Sequence, residues 1–155
     1  MMKYVNESIV FQEIPDETTL AINISNCPCR CPGCHSKFLW GDTGDELTHQ
    51  QLTKMIEKYE GALTCVSFMG GDASINDLND LALYLKNIHP ELKVAWYSGK
   101  TVISPNLEQN LFDYIKIGPY IAHLGPLNSP TTNQRLYKKT AENTWEDITY
   151  RFWKR

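Results

Sequence analysis

The chain has 155 residues, a length that favours one domain and excludes a complete eightfold (β/α) barrel, which needs about 250 residues. Hydrophobic residues make up 42% and charged residues 21%, which excludes a disordered chain. The formal net charge of −3 predicts no general affinity for nucleic acid, and no apolar run approaches the ~20 residues of a membrane span.

The N-terminal segment predicts the location of the protein and its first strands. Residues 1–7 contain no apolar signal core, so a cytoplasmic location is expected. Residues 4–11 indicate a short strand or a lead-in, and residues 19–24 alternate as a strand does. Four of the five cysteines follow at once, within residues 27–34.

Residues 48–88 predict a helix, a strand and a second helix. Thr48 is a typical N-cap, and Gln51 is placed to complete a capping box. Apolar residues recur at helical spacing over residues 49–59 and again over residues 76–88. Between the helices, residues 63–69 have the β-branched and aromatic content of a buried strand.

The alternation continues downstream and predicts the fold class. Residues 93–97 and 114–117 indicate strands, and residues 107–112 indicate a short helix. Strands that alternate with helices predict an α/β fold with a mostly parallel sheet built from right-handed βαβ units. Because the chain is too short to close, we expect a partial, open (β/α) barrel that spans residues 1–155 as one domain.

Polar and glycine-rich segments follow each predicted strand. They are the cysteine loop, Gly70-Gly71-Asp72, Tyr97-Ser98-Gly99 and Gly118-Pro119. The carboxyl ends of parallel strands meet at one edge of a sheet, where ligands bind in α/β proteins. We therefore expect these four segments to lie together, although an ordinary strand-to-helix turn would also account for Gly70–Asp72.

The cysteine loop predicts a metal centre. An odd total of cysteines without a signal peptide argues against a disulfide framework. Structural zinc usually takes two cysteine pairs from separated segments, whereas an iron–sulfur cluster accepts several thiolates from one loop. Cys29 lies two residues from both Cys27 and Cys31, which makes ligation by all three sterically awkward. An iron–sulfur cluster is favoured over zinc and over merely structural cysteines.

Three segments together resemble a known family. Cys27, Cys31 and Cys34 have the Cys-x3-Cys-x2-Cys spacing of radical S-adenosylmethionine (SAM) enzymes. The sequence Cys-Pro-Gly-Cys-His at residues 31–35, followed by Trp40-Gly41, resembles the activating proteins of anaerobic (class III) ribonucleoside-triphosphate reductases. The segments 117–120 and 132–137 are also similar to that family, so the resemblance covers residues 20–137.

The resemblance implies a cofactor set and a partner. It implies a 4Fe-4S cluster held by Cys27, Cys31 and Cys34, with one iron open to SAM. The residues that it implies for SAM binding are Gly33, Cys34, His35, Gly70, Gly71, Asp72 and Ser98. An electron donor such as flavodoxin would reduce the cluster, and the product would be a glycyl radical on the reductase. No catalytic side chain beyond the cluster and SAM is implied.

Several alternatives stay open at this point. The chain could activate another glycyl-radical enzyme, act as a small radical SAM enzyme, bind zinc as a non-catalytic module or carry electrons. Residues 133–135 either meet a partner or make structural hydrogen bonds, and Lys116 near a strand end has no assigned role. Residues 138–155 carry an excess of basic residues and are predicted to be a basic C-terminal tail, which is a candidate contact for the partner.

Overall fold

The computed structural model describes residues 2–25, 41, 43–59 and 61–153. Eight strands are β1 Lys3–Val10, β2 Thr19–Ile24, β3 Asp45–Glu46, β4 Cys65–Met69, β5 Lys93–Tyr97, β6 Tyr114–Ile117, β7 Arg135–Ala141 and β8 Thr144–Asp147. Two α-helices are α1 His49–Lys58 and α2 Ile75–Ile88, and short 3-10 helices span Gln109–Leu111 and Thr149–Phe152. Within these ranges, no helix has the length and apolar character needed to cross a membrane.

The strands form one sheet in the order β3-β1-β2-β4-β5-β6-β7-β8. The central strands β2, β4, β5 and β6 are parallel, but the other four of the seven pairings between described strands are antiparallel. The expected mostly parallel sheet is therefore corrected to a parallel centre with antiparallel flanks. Connection length explains part of the difference, because only two residues join β7 to β8 and a parallel crossover needs a dozen or more.

Helix α1 begins where the sequence predicts, but only one half of the predicted capping box forms. The Thr48 Oγ1 atom accepts a hydrogen bond from the backbone N–H of Gln51 at 3.0 Å, as an N-cap does. The Gln51 side chain does not complete the box; its Nε2 atom donates to the hydroxyl of Tyr4 at 2.9 Å. The glutamine thus joins α1 to β1 and not to its own N-terminus.

The two faces of the sheet carry different side chains. Strand residues alternate between faces, so Val94 and Trp96 pack with α1 and α2 in the larger apolar cluster. Ala95 and Tyr97 point to the opposite face, where a smaller cluster contains Ile14. Among the described residues, α1 and α2 cover one face only, and residues before β2 and after β8 cover part of the other.

Most of the described C-terminal residues belong to the sheet. Residues 138–141 lie in β7, β8 follows, and the 3-10 helix Thr149–Phe152 comes just before the last described residue, Trp153. The Leu136 side chain is fully buried, and its backbone N–H donates to Thr149 Oγ1 at 2.9 Å. The prediction of a basic tail over residues 138–155 is wrong for its described part, because backbone pairing at a sheet edge does not require apolar side chains.

Candidate functional site

The carboxyl ends of the four parallel strands lie at one edge of the sheet, as expected. β4 ends at Met69, β5 at Tyr97 and β6 at Ile117, and their register places these ends side by side. β2 is paired with β4 up to Asn23, so the chain leaves β2 at this same edge just before the cysteines. The predicted residues Cys27, Gly33 and His35, with Cys31 and Cys34, lie outside the described residues.

Gly70 and Gly71 form a turn that needs glycine for two reasons. Both have positive φ, +112° and +95°, where side chains are rarely accommodated. A Cβ atom at Gly70 would lie 3.2 Å from the carbonyl oxygen of Ile24, and one at Gly71 would lie 3.0 Å from the sulfur of Met2. The turn therefore packs against the end of β2, directly before the cysteine segment.

Neighbouring groups fix the backbone of this turn. The Gly70 N–H donates to the carbonyl of Tyr97 at 3.0 Å, and the Gly70 carbonyl accepts from the indole Nε1 of Trp96 at 2.7 Å. Both partners belong to β5. The turn after β4 is thus held to the adjacent strand through both the N–H and the carbonyl of Gly70.

Asp72 and Ser98 are brought into direct contact. The Ser98 hydroxyl donates to Asp72 Oδ1, and the backbone N–H of Gly99 donates to Asp72 Oδ2 at 3.0 Å. Both side chains are buried, with 6% and 1% of their surfaces exposed. A carboxylate that accepts from two fixed donors keeps one orientation.

Lys116 is a further buried polar residue that the predicted site did not include. It occupies the third position of β6 between two isoleucines, and its ammonium Nζ donates to the carbonyls of Ser98 at 3.0 Å and Gly118 at 2.9 Å. The same Nζ lies 5.7 Å from the centre of the Tyr97 ring. The signal available in the sequence was a lysine inside an otherwise apolar strand, which is rarely buried without hydrogen-bond partners.

A large cavity opens on the face of the sheet that α1 and α2 do not cover. Its volume is about 1110 Å³, and Tyr97, Lys116 and Gln134 line it from the sheet. Its other walls come from residues 12–16, residues 126–130 and the 3-10 helix at Arg151. Small-molecule and cofactor sites commonly occupy about 300–1,000 Å³, so this cavity has room for a ligand of that class.

Side-chain size differs between the two faces of the central strands. Ala21, Ser67 and Ala95 are register neighbours on β2, β4 and β5, and all three are small and buried. On the helical face, the adjacent row contains the larger Ile22, Phe68 and Trp96. The bulky row fills the larger core beneath the helices, and the small row packs beneath the smaller cluster on the other face.

The wall at residues 12–17 is attached to the sheet by two tyrosines. Tyr97 donates its hydroxyl hydrogen to the carbonyl of Glu13, and Tyr114 donates to Glu17 Oε2 at 2.7 Å. Burial raises the pKa of both phenols, and the adjacent Glu17 raises that of Tyr114 further. Both phenols therefore stay protonated near neutral pH and keep donating.

The segment at residues 133–135 makes structural hydrogen bonds. Asn133 Nδ2 donates to the carbonyl of Pro119 at 3.1 Å, and Gln134 Nε2 donates to the carbonyl of Gly118 at 3.4 Å. Arg135 lies 3.8 Å from Asp147 across the β7–β8 hairpin. Because Gln134 also lines the cavity, the segment closes the end of β6 and forms part of the cavity wall.

Cys65, the one cysteine outside the loop, lies in the smaller core. Its side chain is fully buried, and burial raises the pKa of the thiol well above its usual range. A buried protonated thiol is a poor metal ligand, because ligation requires the thiolate. The thiols available for a metal centre are therefore those of the cysteine loop.

A comparison with sequence models of protein families indicates which kind of metal centre the cysteines hold. The sequence model of a family described as a 4Fe-4S single cluster domain matches residues 18–144, a range that runs from just before β2 into β8 and includes the four clustered cysteines. No curated protein and no solved structure gives a significant match. Thiolates are the usual ligands of such clusters, so the donor set fits. The chain belongs to the 4Fe-4S single cluster domain family.

Proposed function

We propose that this protein is a radical SAM activase, which reductively cleaves SAM at its 4Fe-4S cluster and generates a glycyl radical on an anaerobic ribonucleoside-triphosphate reductase. The observation that carries the proposal is the buried Asp72–Ser98 pair beside the turn Gly70-Gly71. That pair lies at the sheet edge from which the chain enters the cysteine segment. Family membership and the Cys-x3-Cys-x2-Cys spacing support the cluster itself.

The cluster ligands in this proposal are Cys27, Cys31 and Cys34, and Cys29 is not a ligand. Three thiolates leave one of four irons open to SAM. When bound, the reduced cluster would supply one electron to break the sulfonium C–S bond of SAM, giving methionine and a 5′-deoxyadenosyl radical, and that radical would take the hydrogen atom from a glycine of the reductase to give 5′-deoxyadenosine. A flavodoxin or a similar carrier provides the electron.

The chain's own residues bind and orient SAM. The Asp72 carboxylate is held by Ser98 and Gly99 and pairs with the methionyl ammonium of SAM. In this proposal, the positive-φ turn at Gly70 and Gly71 brings backbone close to the ligand without side chains in the way. In the same proposal Gly33 gives the adenine room, and His35 lines the SAM pocket beside Cys34.

The face of the sheet that α1 and α2 do not cover admits the partner. The cavity of about 1110 Å³ on this face is lined from the sheet by Tyr97, Lys116 and Gln134. β3 and β8 are the terminal strands in the sheet order, which suits a partial barrel open at its edges. We propose that a glycine-containing loop of the reductase enters this face, because a radical on a large protein must form where a loop can reach it.

Cluster content and SAM cleavage test the proposal together. Anaerobic reconstitution is expected to give a brown protein with about four irons and matching sulfide. After reduction, SAM should be cleaved to methionine and 5′-deoxyadenosine. Cys31→Ala should abolish cleavage, whereas the matched control Cys65→Ala removes a buried thiol and should leave the iron content unchanged.

Three outcomes would count against the proposal. One zinc ion and no sulfide after anaerobic purification would identify a zinc module instead. Normal SAM cleavage by Cys31→Ala would show that the assigned cysteines do not hold the cluster. SAM cleavage without radical formation on the reductase would favour a different glycyl-radical enzyme or a small-molecule substrate.

A further inference from the structure

We infer that Lys116 is a positioning residue, whose ammonium fixes the turn after β5 and thereby the donors that hold Asp72. Lys116 is 7% exposed and lies in β6, next to β5. Its Nζ atom donates to two backbone carbonyls, those of Ser98 and Gly118, which stand at the ends of neighbouring parallel strands. These contacts are independent of any bound ligand.

Lys116 makes hydrogen bonds to both the N–H and the carbonyl of Ser98. The Ser98 N–H donates to the Lys116 carbonyl at 2.8 Å, and the Ser98 carbonyl accepts from Lys116 Nζ at 3.0 Å. The first contact is an ordinary extension of the strand pairing, but the second requires the ammonium. A buried ammonium without such acceptors would carry a large desolvation cost, so the two carbonyls and the lysine stabilise one another.

The Ser98 side chain transmits this constraint to Asp72. Its Oγ atom accepts from the Lys100 N–H at 3.0 Å, so its own hydrogen is directed to Asp72 Oδ1. The next residue, Gly99, gives its N–H to the other carboxylate oxygen. Both donors to Asp72 thus come from the turn whose first carbonyl Lys116 holds.

Gly118, in the turn after β6, contacts both Lys116 and the turn after β5. The Gly118 carbonyl accepts from Lys116 Nζ, and the Gly118 N–H donates to the Lys100 carbonyl at 2.7 Å. Residues 98–100 are therefore held from β6 by a side chain and a backbone contact. Without the ammonium, the backbone contact and the strand pairing persist, so the loss of order should be confined to this turn.

Hydrogen exchange of backbone amides tests the inference without reference to any ligand. In Lys116→Met, which keeps the chain length and removes the charge, we expect the Gly99 amide to exchange about tenfold faster or more. Core amides such as that of Phe68 should keep their wild-type rates. The control Lys138→Met removes an exposed lysine from the adjacent strand β7 and should change neither rate.

A conservative variant guards against loss of the fold. Lys116→Arg retains a cation with several donors, and its Gly99 exchange rate should fall between those of the wild type and Lys116→Met. If Lys116→Met does not fold, the Arg variant alone decides, since a faster Gly99 rate with unchanged core rates is still required. Wild-type exchange at Gly99 in a folded Lys116 variant would overturn the positioning role.

A second measurement separates action through Asp72 from direct contact with SAM, and this arm rests on the proposed function. In reconstituted protein, Lys116→Met should weaken SAM binding by about tenfold. In an Asp72→Asn background the same substitution should cost little more, because Lys116 acts through the two donors that hold this carboxylate. A full tenfold loss in that background would overturn the inference in favour of direct contact. If wild-type protein binds no SAM, the proposed function fails while the exchange experiment still tests Lys116.

Discussion

Ser98 donates its hydroxyl hydrogen to the carboxylate of Asp72, although the two residues lie 26 positions apart in the chain. Each follows a different strand of the parallel centre, and the β4–β5 pairing brings the two strand ends together. The contact is buried and is supported by the Gly99 N–H on the second carboxylate oxygen. A fixed buried carboxylate at this edge of the sheet is the element on which the proposed SAM site depends.

Replacing this carboxylate should weaken SAM binding and also lower the stability of the fold. Asp72→Asn keeps the shape but places an amide NH₂ against one of the two donors, so we expect a loss of unfolding free energy of about 1–3 kcal/mol. Binding of SAM to the reconstituted variant should weaken about tenfold or more, since the charge that meets the ammonium is gone. Urea unfolding and equilibrium dialysis with SAM measure the two effects.

The control for this variant is Asp80→Asn. Asp80 pairs with His49 at 2.6 Å on the helical surface, where both side chains are largely exposed. Exposed ion pairs contribute about 0–1 kcal/mol, so stability should change little and SAM binding should not change. Equal SAM affinity in Asp72→Asn and Asp80→Asn would contradict the assigned role of Asp72.

Alanine substitutions at Gly70 and Gly61 can separate the cost of backbone strain from the cost of a steric clash. Gly70 and Gly61 both have positive φ, +112° and +82°, so Ala at either position is strained. A Cβ at Gly70 would also press on the Ile24 carbonyl at 3.2 Å, whereas no described residue other than its chain neighbours comes within 4 Å of one at Gly61. Gly70→Ala should therefore lose about 1–3 kcal/mol more unfolding free energy than Gly61→Ala. Similar losses in urea titrations of the two variants would show that the end of β2 does not press on this turn.

Alkaline pH should destabilise the protein through its buried phenols. The pKa of Tyr114 is raised in the folded protein by burial and by Glu17, while an unfolded tyrosine titrates near pH ~10. The folded state holds the proton longer, so the stabilisation is complete below about pH 10 and declines as the pH rises above it. Each such tyrosine contributes a slope of up to about 1.4 kcal/mol per pH unit.

The variant Tyr114→Phe checks this assignment. It should be less stable than the wild type at about pH 8, because Glu17 loses a hydrogen-bond donor. Above about pH 10 its unfolding free energy should fall less steeply, because one titrating phenol is missing. Carrying both proteins in a Cys65→Ala background removes the buried thiol, whose pKa is also raised. Identical slopes in the two proteins would refute the assignment to Tyr114.

The sequence was most informative where side chains pack into the core. β4, β5 and both helices were predictable because apolar residues recur with the strand or helix period, and those residues fill the two clusters. β7 and β8 were missed, because their pairing uses backbone hydrogen bonds and leaves charged side chains such as Lys138 exposed. A charged edge strand and a charged tail have the same composition.

The candidate site could likewise be predicted only in part. The proximity of Asp72 and Ser98 could be predicted, since both residues follow strands whose carboxyl ends must meet in a parallel sheet. The position of Lys116 could not, because its described acceptors are the backbone carbonyls of Ser98 and Gly118, and backbone groups leave no trace in a sequence. Gln51 is similar, since only the folded chain brings the Tyr4 hydroxyl within its reach.

Radical transfer to the partner tests the central proposal most directly. The reconstituted protein is reduced anaerobically, mixed with SAM and the candidate anaerobic ribonucleoside-triphosphate reductase, and examined by electron paramagnetic resonance. We expect a glycyl-radical signal on the reductase that requires SAM, reductant and an intact Cys31, and that is weakened in Asp72→Asn. A competent cluster that cleaves SAM but leaves the reductase without a glycyl radical would contradict the account.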